Sequence, residues 1–483
     1  MARIKLNFFV FSFIIAHVCH GQFFYTDYQE GEYWLQTNSA IFNLPLTKQN
    51  SYWSNYLSDK HKEQNNGHSF GGFGHLMKGN DLFAIYQNSD LIGNGALSMY
   101  RYNSPHVEIM NSMYFTYSHK QASRGFVRTI KNVTMYTNQA YIKLKKKFND
   151  NNYSVKIGRD FLVIGHGING SLFISDYSRP FDQITLTGGF GRFEGLLTII
   201  ELDTFYQYDR YLYIHSLVYK TKQLKITVGE SILETGLNKS INIKYLNPFH
   251  LWGWEGNGSG IKGINGFLFA GFTWFPKKSI RLFGEILIDD INFHKKDAFY
   301  LNRFGYLLGF QKTGFPLKSS NIWIEYANVL NQVYQSYHPT HAYIHHGFPV
   351  GHYLGNDFKN LRIHYAHLMK SGRIKPLIDI SYLLDGSNGL DTPFDNPWEN
   401  EKGEIFEDYK PPSHPTPPVT TWIELEIGVE LNTGYGSYIT ITGQYQSKYI
   451  KYPISLDDDS SSSSNFGFGI RFWTYFQIPF KHK

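Results

Sequence analysis

A single cysteine stands among the 483 residues, at position 19. Beyond it the chain has neither disulfide nor thiol chemistry to draw on. Long apolar runs are missing too. After residue 21 no stretch of about 20 apolar residues occurs, the length a helix needs to cross a bilayer. Walker and Rossmann glycine spacings are absent, and with them the familiar nucleotide-binding loops. Net charge is low: +6 formally, and +4 without Arg3 and Lys5. That charge is too mild and too dispersed to argue for nucleic acid as a partner. No cofactor is expected.

What is present begins with a leader. Arg3 and Lys5 precede an apolar run over 6–18, too short to span a membrane as a helix. Cys19 and Gly21 then place small residues at the −3 and −1 positions of a cut before Gln22. Residues 1–21 therefore read as a signal peptide, and the cut removes Cys19. A lipidated Cys19 fits less well, because Val18 is bulkier than the small residue such sites carry. Residues 22–483 show no clear linker and read as one unit. Aromatic residues make up 17% of the chain and glycine contributes 44 positions, as interface girdles and tight turns would require. A large secreted β protein shares that composition. Export without membrane helices leaves the closed barrel, the other structure that satisfies its whole backbone in lipid.

Strand patterning agrees. Over 422–431, Ile423, Leu425, Ile427, Val429 and Leu431 share one parity, and Trp422, Glu424, Glu426, Gly428 and Glu430 the other. Side chains alternate across a strand, so one face is apolar and the other carries three carboxylates. In a barrel the apolar face meets lipid and the carboxylates line the lumen, where they would pair with lysines and arginines of other strands. The same segregation recurs over 139–148, 281–289, 375–384 and 466–480. A basic residue on the lipid face at mid-bilayer costs about 2–4 kcal/mol, so consistent segregation is informative.

Loop lengths give an independent test. Read back from the C-terminus, the connections 448–465, 385–418, 331–355, 291–299 and 247–263 are long or moderate. They alternate with short ones at 432–437, 370–373, 313–319, 276–279 and 220–223. Outer-membrane barrels alternate short periplasmic turns with longer outer loops, and a soluble sandwich has no reason to do so. Roughly 16 to 20 antiparallel strands follow. The first hundred residues are less legible. Strands are expected at 33–42 and 82–86, and a polar loop, short helix or disordered stretch at 51–67.

Two segments are dense in glycine and polar residues, 158–183 and 341–357. The loop alternation puts both at the outer end, where they would form a plug or a ligand surface. They resemble the signature regions of the capsule assembly Wzi family. The first carries Gly158-Arg159-Asp160, then Ser-Leu-Phe-Ile-Ser-Asp over 171–176 and Arg-Pro-Phe-Asp-Gln-Ile over 179–184. The second carries Gly-x-Pro-x-Gly-His-x-x-Gly-x-Asp from Gly347 to Asp357. The resemblance implies an outer-membrane antiparallel β-barrel of about 18 strands. It also implies a lumen occluded by inward-folded loops and a non-enzymatic role in holding capsular or exopolysaccharide at the cell surface. The family's best-known members begin with a helical bundle. Residues 22–130 show no strong helical pattern, so no bundle is expected here.

The expected lumen or polysaccharide network is Arg159, Asp160, His166, Ser175, Asp176, Arg179, Asp182 and Gln183 from the first segment, with His346, His352 and Asp357 from the second. Sharper chemistries are weighed against it. His341, His345, His346 and His352 suggest zinc, but without a cysteine or a helical His-x-x-x-His they read as surface-loop histidines. Asp176 and Asp357 as a glycosidase pair would need carboxyls about 5–10 Å apart, and an aspartate at a glycine turn is commoner. Ser175 lacks nucleophile-elbow spacing. The aspartates at 457–459 lack calcium-loop spacing and read as a solvated tip. Trp252, Trp254 and Tyr353 suit sugar stacking or an interfacial girdle equally. The alternative function is a porin for sugars or small solutes, and a barrel enzyme comes third. Outer-membrane lipid is the other partner, and the barrel is expected to be monomeric.

Overall fold

The computed structural model describes residues 67–78, 91–117, 128–130, 133–149, 151–175, 178–252, 264–290, 302–336, 338–369, 372–390, 413–434, 437–451 and 461–479. The leader, the expected strands at 33–42 and 82–86, Asp176, Trp254 and the aspartates at 457–459 lie outside the described residues.

Nineteen strands form one antiparallel sheet. Gly67–Lys78 pairs with Leu91–Asn103 on one side and with the last strand, Ser461–Pro479, on the other. The last pairing runs from Gly67 opposite Pro479 to Lys78 opposite Phe468, so the sheet closes on itself. Closure removes the free edge and gives every strand two neighbours. Arg128–Ile130 is a short strand that pairs with Val133–Phe148 outside the ring. The remaining 18 strands make the barrel. Strands also appear at 67–78, 91–103 and 107–117, where the residue pattern is faint. Gly67–Lys78 is rich in glycine, which mutes any alternation.

The expected faces are observed. Ile423 and Ile427 are exposed on the outer wall. On the inner wall Glu430 pairs with Lys375 at 2.9 Å. Glu426 and Glu424 instead accept amide hydrogens from Gln444 at 2.6 Å and Gln446 at 3.1 Å on the next strand. Ile378, Ile380 and Tyr382 face out, while Asp379 and Ser381 are buried inside. Ile142 and Leu144 face out, and Tyr141 and Lys145 meet Glu108 within the lumen.

Long connections gather at one end. They include 161–180, 202–208, 237–263, 330–357 and 386–418, and the tight turns lie at the other end. Two boundaries differ from the sequence reading. The serines at 461–464 were expected in a loop, but they continue the last strand, with Ser462 opposite Tyr449 and Ser461 opposite Ile450. Their small side chains leave the backbone free to complete the ladder. The connection expected at 247–263 begins at residue 237, because Tyr213 and Glu234 on the outer wall draw Asn242 onto themselves.

Candidate functional site

The first inward segment, 161–180, is pinched into a loop by the bridge between Ile164 and Ile174. Its tip enters the lumen as bare backbone, and two wall carboxylates receive it. Glu285, on Ile280–Asp290, accepts the N–H groups of His166, of Gly167 at 2.6 Å and of Leu172 at 2.7 Å, plus the Ser171 hydroxyl at 3.3 Å. Glu325, on Ser320–Val329, accepts from Ile168 at 2.6 Å and Asn169 at 3.2 Å. Arg281 donates to the His166 carbonyl at 2.5 Å. Hydrogen bonds to a charged acceptor are worth about 1.5–3 kcal/mol each, and a buried carboxylate needs several. The His166 ring sits between Thr273 at 2.8 Å and Thr227 at 2.9 Å. Gly271 makes room for it, since a Cβ there would come within 2.5 Å of the ring.

The second segment, 330–357, packs on the first. Tyr334 donates to the Leu172 carbonyl, Tyr343 to that of Phe173 at 3.0 Å, and the Ser175 N–H to Val350 at 2.9 Å. From the wall, Arg210 on Asp209–Lys220 grips this segment's carbonyls: Thr340 at 2.8 Å, Ala342 at 2.5 Å and Ile344 at 3.1 Å. Carboxylates thus hold the first segment by its donors, and a guanidinium holds the second by its acceptors. Leu172, Phe173, Ile174, Tyr334, Tyr343 and Val350 have no exposure, and with Phe267, Phe283 and Leu307 of the wall they form an apolar core inside the barrel. The pair of segments is a packed plug.

The expected network divides. His166, Ser175, Gln183, His352 and Asp357 are buried in the plug or against it. Gln183 donates to the Asp160 carbonyl at 2.7 Å. Asp160 itself faces in and meets Lys156 at 2.6 Å and Gln139 at 2.8 Å. Arg179 lies over the Phe348 ring at 5.7 Å. Arg159 and Asp182 were expected inside the lumen, and the structure places them outside it. They pair with each other and share the parity of the exposed Ile157, Ile184 and Leu186, so they stand on the outer face of the rim. Asp357 sits at φ +58° and takes the backbone N–H groups of Asn388 and Thr416 at 3.0 Å, with His414 at 3.2 Å. It therefore anchors the 386–418 connection.

The histidines expected on a surface loop are inside. His341, His345 and His352 are buried, and His346 is half-buried. Burial lowers His352 to about 3. Burial, then the His345 ring and the arginines Arg179 and Arg159, lower His346 to about 3. Burial lowers His345 and carries His166 well below its ordinary range. Burial raises Asp203, but bonds from His345 and the His346 backbone and the charge of Arg210 outweigh it and hold the carboxyl at about 2. Ligating atoms of Asp203, His345 and His346 lie within 4.8 Å of one another. Arg210 bonds Asp203 at 3.1 Å, and Arg179 and Arg159 act on His346, a positive field that opposes a dication.

Trp252 and Tyr353 are both buried, so neither offers a ring face to a sugar. Trp252 stacks on His215 at 4.1 Å, and Tyr353 accepts from Asn169 at 2.8 Å. Among the described residues at the mouth, Tyr206 is exposed, 73% accessible, and edge-on to Phe205 at 4.5 Å. Tyr208 and His338 lie beside each other at 6.4 Å in the same rim. The sequence reading missed Glu325, Arg210 and Tyr206. It placed Arg281 and Glu285 on the inner face but gave them no loop to hold.

No protein-family model and no curated protein matches the sequence. Solved structures do. One is Wzi, an outer-membrane protein involved in group 1 capsule assembly in Escherichia coli and described as a carbohydrate-binding β-barrel. It aligns at a TM-score of 0.61 and 12% identity, over 96% of this chain and 95% of that one. OprD of Pseudomonas aeruginosa aligns at 0.44 and 9%, over 86% and 95%. OccAB4 of Acinetobacter baumannii aligns at 0.46 and 10%, over 86% and 99%. The chain shares the fold of the capsule-assembly barrel and is an outer-membrane β-barrel.

Proposed function

We propose that this barrel holds surface polysaccharide at its outer mouth and does so without catalysis. The observation that supports the reading is the plug. A diffusion porin keeps a polar, water-filled lumen. Here two segments bring a dry apolar core into the barrel and are tied to the wall by Glu285, Glu325 and Arg210. Residues 1–21 would direct export and be removed, and a monomer would suffice.

In this reading His166, Ser175, Gln183, His352 and Asp357 fix the shape of the mouth instead of touching sugar. Contact falls to the rim: Tyr206 as a stacking face, His346 by Asp203 of the same connection, Arg179 over Phe348, and Arg159 and Asp182 at the outer margin. Aromatic faces and planar donors suit sugar rings and hydroxyls. The carbohydrate binding named for the capsule-assembly barrel of like fold favours the same ligand class.

Deleting the protein should release polysaccharide into the medium without stopping its synthesis. A deletion strain that keeps its surface layer intact would overturn the reading. Tyr206→Ala should weaken polysaccharide retention while leaving folding and surface display unchanged. The porin alternative predicts a large steady conductance in planar bilayers, and the plugged barrel predicts none.

A further inference from the structure

The connection that leaves Leu224–Gly236 at the loop end does not rise into water. Residues 237–252 turn back and lie against the outside of the wall. Tyr245 and Trp252 bury themselves on Leu197, Ile199, Tyr213 and Ile232. Those wall residues have outward parity: Ile199 is opposite the exposed Ile184, and Leu197 opposite the exposed Leu186. The segment is anchored there by side chains. Lys239 pairs with Glu234 at 3.0 Å, Asn242 donates to Tyr213 at 2.8 Å, and the Trp252 N–H donates to Glu230 at 3.0 Å. Glu230 also pairs with His215 at 3.0 Å, beneath the Trp252 ring.

The far side of this segment is apolar. Leu237, Ile241, Ile243, Leu246, Phe249 and Leu251 are all exposed, Phe249 to 94%. Directly below, the outward residues Val228, Ile226 and Leu217 are exposed too, so the two surfaces run into one another. Several backbone donors of the segment are met by the wall, at Lys239, Asn242 and Trp252, and others within the segment. Tyr245 donates to the Asn242 carbonyl at 3.3 Å, and the Asn242 and Asn247 side chains take the N–H groups of Lys244 at 3.2 Å and Phe249 at 3.1 Å. Irregular backbone at a membrane surface requires such pairing. Lys244 adds a cation at the same level.

We propose that residues 237–252 form a strap seated at the headgroup–acyl boundary of the outer leaflet, with Ile243, Phe249 and Leu251 binding lipid chains and Lys244 meeting an anionic headgroup. Continuity with the lipid-facing wall carries this assignment. In water those side chains would stay unburied, at a cost that grows with their apolar surface. At the boundary an amphipathic segment of this kind is stabilised by the acyl chains and the headgroup charge together. The strap also shields the Glu230–His215 pair, which would otherwise face the acyl region.

Nitroxide labels test this. In a Cys19→Ser background, Phe249→Cys and Ile243→Cys are labelled separately in the full-length barrel. The barrels are then reconstituted in vesicles of phosphatidylethanolamine and phosphatidylglycerol. Leu217→Cys serves as the lipid reference and Lys222→Cys, in an exposed turn, as the water reference. Collision rates with oxygen and with a water-soluble nickel chelate are read for each. Both strap labels should match Leu217, with an oxygen-to-nickel ratio several-fold above that at Lys222. A ratio equal to that of Lys222 at both positions would overturn the proposal. So would dipolar broadening that disappears when labelled barrels are diluted with unlabelled ones, since a second copy of the chain would then cover the strap. The two positions back each other up if one label impairs folding.

Discussion

Glu285 and Glu230 stand on opposite faces of the same barrel wall, and each is buried under a connection that folds back on it. Inside, Glu285 takes three backbone N–H groups and a serine hydroxyl from the plug. Outside, Glu230 takes one backbone N–H from the strap and pairs with the His215 ring. The plug is thus held chiefly through its main chain, which fixes its path. The strap is held through both: the backbone N–H groups of Lys239, Asn242 and Trp252 donate to Asp209, Tyr213 and Glu230, and the Lys239–Glu234 pair and the stacked Trp252 indole add side-chain contacts. Dense main-chain clamping at one tip suits a segment that must keep a mouth in shape, and scattered mixed anchorage suits one that only has to cover a patch of wall.

The largest expected effect breaks the inner half of that comparison. Glu285→Ala with Glu325→Ala strands the donors of residues 166–172 in a dry core. Removing one partner of a buried charged contact costs about 3–5 kcal/mol. At about 1.4 kcal/mol per tenfold, amide exchange over 165–172 should quicken by at least two orders of magnitude. Planar-bilayer recordings should then show conductance steps that the parent lacks, while exchange in the strap stays at its parent rate. Equal acceleration in the strap would mean that the two regions open together.

Trp252→Ala tests the outer half. Losing the stack on His215 and the contact with Tyr245 should cost roughly 2 kcal/mol. Exchange over 239–247 should rise, and the lumen should remain closed to ions. Conductance in this variant would show that the strap supports the plug through the wall.

How far these regions could be read from the sequence differs in the same way. The wall is periodic, and period two over 422–431 fixed both its faces before any coordinates. Loop-length alternation gave the orientation and placed both glycine-rich segments at one end. Which way a loop folds is another matter. The segments 161–180 and 330–357 fold in and 237–252 folds out, and nothing local distinguishes them. The partners that decide it, Glu285, Glu325 and Arg210 inside and Tyr213 and Glu230 outside, lie tens to hundreds of residues away in the chain. Charge misplaced Arg159 and Asp182, because it suggested the lumen while their parity pointed outward.

Acid should act on the plug. His346 and His352, in the plug loops, are lowered to about 3, and His345 and His166 are lowered as well. A histidine whose folded pKa lies below its free value of about 6.5 binds protons better once released. Docking stability is therefore full above that value and declines as pH falls towards 3. Asp203, held at about 2, works in the same direction below its free value of about 3.9. Protection over 345–352, corrected for the slower intrinsic amide exchange in acid, should fall between pH 6.5 and 4 and recover on neutralisation. His352→Gln, which cannot take the proton, should flatten part of that slope. A plug equally protected at pH 4 and pH 7 would remove the histidines from the account of how it is held.

The smallest effects lie at the rim, where two paired strand ends present neighbouring acceptors to opposite sides. Asp160 faces in, meets Lys156 and Gln139, and takes the Phe161 N–H at 2.9 Å where the plug begins. Asp182 faces out, is half exposed, and pairs with Arg159. Exposed pairs contribute about 0–1 kcal/mol and are screened by salt. Asp182→Asn should therefore shift thermal unfolding little, and less still at high ionic strength. Asp160→Asn should cost more, because it loosens a part-buried cation and the entry of the plug together. If Asp182→Asn proves the costlier of the two, the outer rim is holding the mouth in shape, and the division between an inner clamp and an outer cover fails at the one place where both meet.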